Sequence, residues 1–250
     1  MVKIGGSTLG THDTTLQDLV SLQRQGSAPV VVHGGGAFVT RWLEVHQIPS
    51  RFIRGLRVTD RESLSVVTAV LAGLVNKELV ASLQALGGRA VGLSGADGGL
   101  LTGEITDPEL GYVGETTALD LSAVHALREA GFLPVVATVG LDGTGAGGLL
   151  NFNADTVAGE LAVALEADLL VFLTDVPGVQ DGNGTVRTCL TPAAARGLID
   201  EGTASGGMIP KLEACLRART AQVECRIVDG RREHALLHAL SDRPAGTKVW

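Results

Sequence analysis

Lysine is scarce in this sequence. Of its 20 basic residues only Lys3, Lys77, Lys211 and Lys248 are lysines; the other sixteen are arginines. A chain that uses arginine wherever a surface cation will do keeps lysine for places that need a compact point charge. That singles out Lys3, inside the first apolar run, and Lys211, just behind a pair of glycines. Basic charge is short altogether. A net charge of −7 disfavours a nucleic-acid partner, which binds basic faces, but leaves room for a small anion held by a few local cations. No charge-free apolar run of about 18 residues occurs, which argues against a membrane-spanning helix. A charged-then-apolar leader with a small-residue cleavage site is missing as well. Cysteine is limited to Cys189, Cys215 and Cys225, an odd and widely spaced set that suits reduced thiols better than a disulfide framework or a zinc site. A cytoplasmic location is therefore expected. The Walker A loop, G-x-x-x-x-G-K-[ST], is also absent.

What is present is a regular alternation. Strand-like runs fall at 2–5, 30–33, 90–94, 134–139, 169–173, 226–228 and 247–250, most of them continuously apolar, as strands buried on both faces are. Amphipathic stretches lie between them, near 16–25, 38–46, 61–86, 118–130, 155–165, 192–201, 209–220 and 232–240. The pattern predicts an α/β protein, a three-layer αβα sandwich around a mostly parallel sheet. Thr59 and Glu62 have capping-box spacing ahead of the longest helical run. That run is apolar over more than one stripe, which fits burial by a partner subunit or inside its own domain. Residues 95–117, rich in glycine and β-formers, read as hairpins inserted at one edge of the sheet. A composition change near 140–150 marks the boundary if the chain has two lobes.

Two early strands end in glycine, in VKIGGS and VVVHGGG. Ligands of open parallel sheets bind beyond the carboxyl ends of the strands, where glycines let backbone N–H groups approach an anion. Gly5, Gly6, Gly34, Gly35 and Gly36 thus line a candidate anion cleft, the alternative being tight turns with no ligand. His33, beside them, reads as mainly structural. The literal G-x-G-x-x-G at 143–148 is turn-like and followed by LLNFN rather than a helix, so it reads as a hairpin. Asn151, Asn153 and Asp155 cluster at a helix start and exceed what a cap needs. Asp155 is placed to orient cations and Asn151 to meet a ligand amide. Thr174 and Asp175 end a buried strand before a Pro-Gly turn. Lys211 opens a helix after Gly206 and Gly207, where it opposes the helix dipole unless a phosphate shares that end. His234 and His238 are four apart with no third ligand nearby, which reads as a solvated face rather than a metal site.

In this order, VKIGGS, HGGG, RGLRVTD, NKEL, NFNAD, LTDVPGV and GGMIPK resemble the amino acid kinase superfamily. From Lys3 to Trp250 the chain is most similar to the acetylglutamate kinase family within it, RGLRVTD followed by NFNAD narrowing the match. The resemblance implies a single domain over 1–250, with a substrate lobe (about 1–150) and a nucleotide lobe (about 151–250). It implies ATP-dependent phosphorylation of the side-chain carboxylate of N-acetyl-L-glutamate in arginine biosynthesis. By the same resemblance Lys3 and Lys211 stabilise the transferring phosphoryl group and Asp155 holds them. Gly35 and Gly36 donate N–H groups to the reacting carboxylate, Arg57 pairs with the α-carboxylate and Asn151 contacts the acetamido end. Gly5, Gly6, Asp175, Val176, Pro177, Gly178, Val179, Gln180, Thr203, Ala204 and Ser205 line the ATP site. Mg²⁺ is held mainly by the nucleotide, with no metal-ligand set in the protein. Family members inhibited by arginine carry an extra N-terminal helix that builds hexamers. Without it the expectation is an arginine-insensitive homodimer, joined partly through the long helix from Arg61. The rival readings are a carrier-protein-linked aminoadipate or glutamate kinase, a nucleotide-binding regulator without turnover, and a dinucleotide oxidoreductase resting on the 143–148 match.

Overall fold

The structure, a computed structural model, describes residues 1–5, 14–27, 29–145, 147–241 and 246–250. Fourteen strands are described: β1 (Val2–Ile4), β2 (Val31–His33), β3 (Phe52–Ile53), β4 (Leu56–Arg57), β5 (Ala90–Ser94), β6 (Leu101–Glu104), β7 (Glu115–Leu119), β8 (Leu133–Ala137), β9 (Val139–Asp142), β10 (Leu149–Asn151), β11 (Leu169–Thr174), β12 (Cys189–Leu190), β13 (Glu224–Asp229) and β14 (Thr247–Val249). Eight of them form the main sheet, in the order β12-β14-β13-β11-β1-β2-β8-β5. From β13 to β5 every pairing is parallel, and β14 runs antiparallel to β13. Strand β1 lies between β2 and β11, so the sheet winds outward in both directions from it. That makes its carboxyl end a topological switch point, the place where such sheets bind ligands.

The helices are α1 (Thr15–Arg24), α2 (Gly36–Val45), α3 (Arg61–Thr68), α4 (Asn76–Ala85), α5 (Ser122–Glu129), α6 (Ala154–Ala164), α7 (Pro192–Asp200), α8 (Met208–Thr220) and α9 (Ala235–Ala239). A π-helical segment, Ala69–Val75, joins α3 to α4 without a break. Strand side chains alternate between the two faces, which separates two cores. Leu170, Phe172, Val32 and Ile227 pack with α5 to α8, whereas Val171, Leu173, Val31 and Val228 pack with α1, α2, α3, α4 and α9. This is the three-layer sandwich the sequence predicts. The continuous helix Arg61–Ala85 is long and apolar enough to cross a membrane by length and composition. Its inner face, including Val67, Val70, Leu71, Val75, Leu79 and Leu83, is packed in the second core.

Four expectations are corrected. The hairpin region does not extend one edge of the main sheet: β6 and β7 join β9 and β10 in a separate four-stranded sheet, ordered β10-β9-β6-β7. Ala118 belongs to β7 rather than to the helix after it. The run 134–139 is divided between β8 and β9, which lie in different sheets. Asp60, not Thr59, caps α3, its carboxylate accepting from the Ser63 N–H at 2.8 Å. The glycines at 143–148 link the antiparallel strands β9 and β10, as a hairpin does, and no helix opens on them.

Candidate active site

Alternation along β1 puts Val2 and Ile4 into one core and turns Lys3 to the other face, in register with Val32 and Phe172. Lys3 is only 6% exposed there. A buried ammonium needs a partner, and Asp155, in the first turn of α6, supplies it at 2.7 Å. The other oxygen of Asp155 accepts from Lys211 Nζ at 3.0 Å, so one buried carboxylate carries an ammonium on each oxygen. Asn153 caps α6, its Oδ1 accepting from the N–H groups of Asp155 and Thr156, and so fixes where that carboxylate stands. Lys211 also donates to the Gly207 carbonyl at 3.1 Å, which folds it back over the start of α8. Burial pushes the Asp155 carboxyl up, but the two ammonium groups outweigh it and hold the group below the usual carboxylate range. Burial also lowers Lys3 below the usual lysine range, with Asp155 opposing and Lys211 adding to the shift.

Beside this ion triad lies a cleft of about 200 Å³, lined among others by Lys3, Gly35, Gly36, Arg57, Asn151 and Asp155. That is below the ~300–1,000 Å³ of pockets for drug-sized ligands and suits a molecule of amino-acid scale. Gly35 caps α2 and Gly36 opens it, so their N–H groups have no intrahelical acceptor. Gly35 lets Leu71 approach closely: a Cβ there would lie 2.6 Å from Leu71 Cδ2, and that side chain would have to shift. Arg57 is held by the Gly36 carbonyl (3.0 Å), Thr40 Oγ1 (2.8 Å) and Ser50, with its guanidinium 4.6 Å from the centre of the Phe52 ring. Asn151 donates to Thr59 Oγ1 at 3.0 Å, and Thr59 in turn donates to the Arg57 carbonyl. Between Asn151 and Asp155, Phe152 is clasped by glycines of three segments. A Cβ at Gly103, Gly114 or Gly140 would come within 2.5, 2.7 or 2.9 Å of its ring. That ring anchors the NFNAD segment to the four-stranded sheet.

The residues expected around a nucleotide are placed less uniformly. Asp175 and Gln180 are exposed beyond β11, and Ser205 is exposed beside half-buried Thr203 ahead of α8. Asp175 lies close enough to Lys3 to favour its charge. Val176 and Pro177 are half-buried in the turn that follows. The side chains of Val179 and Ala204 belong to the core, and Gly178 is enclosed by Thr247 and Val186, so these three shape the edge without presenting side chains to it. The Gly5 N–H is bonded to the Leu173 carbonyl and the Gly34 N–H to the Ile4 carbonyl, both continuing the sheet. Neither is a free donor for an anion, which corrects that part of the glycine-loop reading. Gly6 lies outside the described residues. Sequence reasoning missed Thr40, Ser50, Thr59 and Phe152, which hold the cleft residues from behind. Thr59 and Phe152 lie inside the RGLRVTD and NFNAD motifs, which was their signal; Thr40 and Ser50 carried none.

A larger cavity, about 440 Å³, adjoins the cleft across Phe152 and Asn153. It is lined by Glu115, Glu160 and Glu213 with Arg54 and Arg217, and by neither lysine nor the glycine N–H groups. Its acidic balance makes it the poorer place for a phosphate.

Comparison with known proteins shows the family to which the chain belongs. The sequence profile of the amino acid kinase family matches residues 1–229. The chain is 44% identical over 253 residues to an acetylglutamate kinase of Dehalococcoides mccartyi, covering 100% of this chain and 93% of the relative. It is 42% identical over 259 residues to a chloroplastic acetylglutamate kinase of Arabidopsis thaliana, covering 100% of this chain and 74% of that protein. Among solved structures, one from Streptococcus mutans UA159 superposes with a TM-score of 0.88 at 31% identity, covering 99% of this chain and 96% of that one.

Proposed function

Because the chain belongs to the amino acid kinase family, we propose that it transfers the γ-phosphoryl group of ATP to the side-chain carboxylate of N-acetyl-L-glutamate, the acetylglutamate kinase step of arginine biosynthesis. One observation carries the reading. Two lysines stand on opposite oxygens of one buried aspartate, at the switch point of the sheet, beside the Gly35–Gly36 amides and Arg57.

Phosphoryl transfer needs in-line positioning and neutralised equatorial oxygens more than covalent chemistry. The acceptor is itself an anion, so bringing it up to a triphosphate requires fixed positive charge and N–H donors between them. Lys3 approaches from the sheet and Lys211 from the start of α8, and Asp155 holds both ammonium groups in place. The Gly35 and Gly36 N–H groups take the reacting carboxylate and developing charge. Arg57 pairs with the α-carboxylate, and Asn151, steadied by Thr59, meets the acetamido group. The exposed edge formed by Asp175–Gln180 and Thr203–Ser205 takes the nucleotide. Both oxygens of Asp155 already face ammonium groups. Among the described residues no group of three or more His, Cys, Asp or Glu is able to hold a metal ion. The residues present therefore fit a Mg²⁺ that arrives on the nucleotide, where it neutralises phosphate charge. In this reading residues 1–150 form the substrate lobe and 151–250 the nucleotide lobe, and the protein works as a cytoplasmic homodimer.

The test is ADP release with MgATP and N-acetyl-L-glutamate, with hydroxylamine to trap an acyl phosphate, run beside L-glutamate, aspartate and α-aminoadipate. Hydroxamate with the acetylated substrate alone is the expected result. Turnover only with a carrier-protein-bound substrate, or none at all, would overturn the assignment.

A further inference from the structure

We propose that His33, as a neutral imidazole protonated on Nδ1 and locked by Asn76, is a positioning residue that aims the Gly35 N–H into the cleft. The inference deepens the phosphoryl-transfer reading and rests on it, because that N–H matters to turnover only where an anion develops beside it.

His33 ends β2 and is wholly buried. Its Nδ1 lies 2.9 Å from the Gly34 carbonyl oxygen. A carbonyl only accepts, so Nδ1 carries the proton. The other ring nitrogen, Nε2, lies 3.1 Å from Asn76 Nδ2. The orientation of that amide is set independently. Asn76 Nδ2 is 2.9 Å from the Val135 carbonyl and 3.3 Å from that of Leu93, while Asn76 Oδ1 accepts from Lys77 Nζ at 3.0 Å. Reversing the amide would set an oxygen against two carbonyls and an NH₂ against an ammonium. Nδ2 is thus the donor, and Nε2 must be the unprotonated acceptor. Two separate sets of contacts therefore demand the same tautomer. Burial agrees, holding the imidazole at about 4, well below the ordinary histidine value.

The consequence falls on the Gly34–Gly35 peptide. The described chain contains no cis peptide bond, and across a trans peptide the C=O and N–H point in opposite directions. A Gly34 carbonyl drawn inward to His33 leaves the Gly35 N–H pointing outward, on the side where Gly35 lines the cleft with Lys3. A peptide between two glycines has no Cβ to restrict its rotation. Released, it could flip and present a carbonyl oxygen to the anion. The Gly34 N–H, in the preceding peptide, is tied to the Ile4 carbonyl, so the sheet fixes the chain as far as Gly34 and the His33 contact sets the peptide that follows. The same helix contributes from above: Leu71 and Val75, in the π-helical segment, pack on Gly35, and Asn76 follows directly.

The first test needs no variant and no substrate. In ¹⁵N-histidine-labelled protein, long-range proton–nitrogen correlation is expected to show a neutral, Nδ1-protonated His33 at pH 7. A proton on Nε2, or on both nitrogens, overturns the proposal. The second test contrasts His33→Asn, whose amide can keep a donor at the Nδ1 position, with His33→Gln, which reaches only the Nε2 position. The Gln variant is expected to lose about 100-fold in kcat, the scale of one lost oxyanion donor. KM values for ATP and acetylglutamate should stay within about threefold, and the Asn variant within about tenfold of the parent kcat, given that a preserved donor keeps most of that stabilisation. Equal losses in both variants, or a loss confined to KM, overturn it. If the parent protein itself does not turn over, the functional reading falls. The tautomer then decides the peptide orientation alone: Nδ1–H supports it and Nε2–H overturns it.

Discussion

Lys3 and Lys211 share a single counter-ion, so neither is replaceable by a group of different shape or charge. Lys3→Ala and Lys211→Ala are expected to lower kcat by about 10²–10³, the range for removing one preorganised charge-stabilising group. Far-UV circular dichroism should remain that of the parent. Near-normal turnover in either variant would remove it from the site. Two buried groups also set the acid limit of stability. His33 sits at about 4 in the folded protein against 6.5 unfolded, so below pH 6.5 the unfolded chain takes up a proton that the folded one refuses. Stability falls as pH drops from 6.5 toward 4, by about 3 kcal/mol in all and about 2 kcal/mol between pH 7 and pH 5. Asp155 acts lower on the scale. Its folded value is depressed, so its contribution is present above the unfolded value near 3.8 and is lost as pH falls through the folded one. Urea denaturation at pH 7 and pH 5 should show a larger loss for the parent than for His33→Asn. Equal losses would contradict the buried neutral imidazole.

The start of α3 shows how one element divides its residues between stability and function. Asp60 accepts from the Ser63 N–H and stabilises the helix, whereas its neighbour Thr59 is wholly buried and steadies Asn151. Asp60→Ala is expected to cost about 1 kcal/mol, the usual value of an N-cap, with kinetics unchanged. Thr59→Val should instead raise KM for acetylglutamate more than it lowers the melting temperature. Melting curves and initial rates on both variants separate these outcomes, and a reversed pattern would refute the division. The element scale is also where sequence reading reached its limit. Strands of the main sheet such as Leu133–Ala137 and Leu169–Thr174 are legible because burial on both faces demands a continuous apolar run. The two-residue strands β3, β4 and β12 carry no such run and exist only because a partner strand lies beside them. Thr59 and Asp60 both suit a cap by residue type; the structure decides between them, Asp60 accepting from the Ser63 N–H while Thr59 accepts from Asn151.

At the scale of the whole molecule, the helix Arg61–Ala85 turns one face to the core and leaves Ala69 and Gly73 exposed, with Leu74 half-buried beside them. Small residues let a second helix approach closely, and this face is the proposed seat of the dimer. Light scattering on the purified protein is expected to give twice the 25.7 kDa chain mass; a monomer or a hexamer would refute that seat. The sequence by itself determined the layers, the parallel sheet and the glycine-ended strands, because periodicity and turn chemistry act over a few neighbouring residues. It also singled out Lys3, Asp155 and Lys211 by residue type and by position at element ends. Only the tertiary structure decided that both lysines converge on one carboxylate, that Gly5 and Gly34 lend their N–H groups to the sheet, and that Phe152 is clasped by Gly103, Gly114 and Gly140. It alone placed Asn76 against His33. These are contacts between groups far apart in the chain, and their geometry is set by how the layers pack.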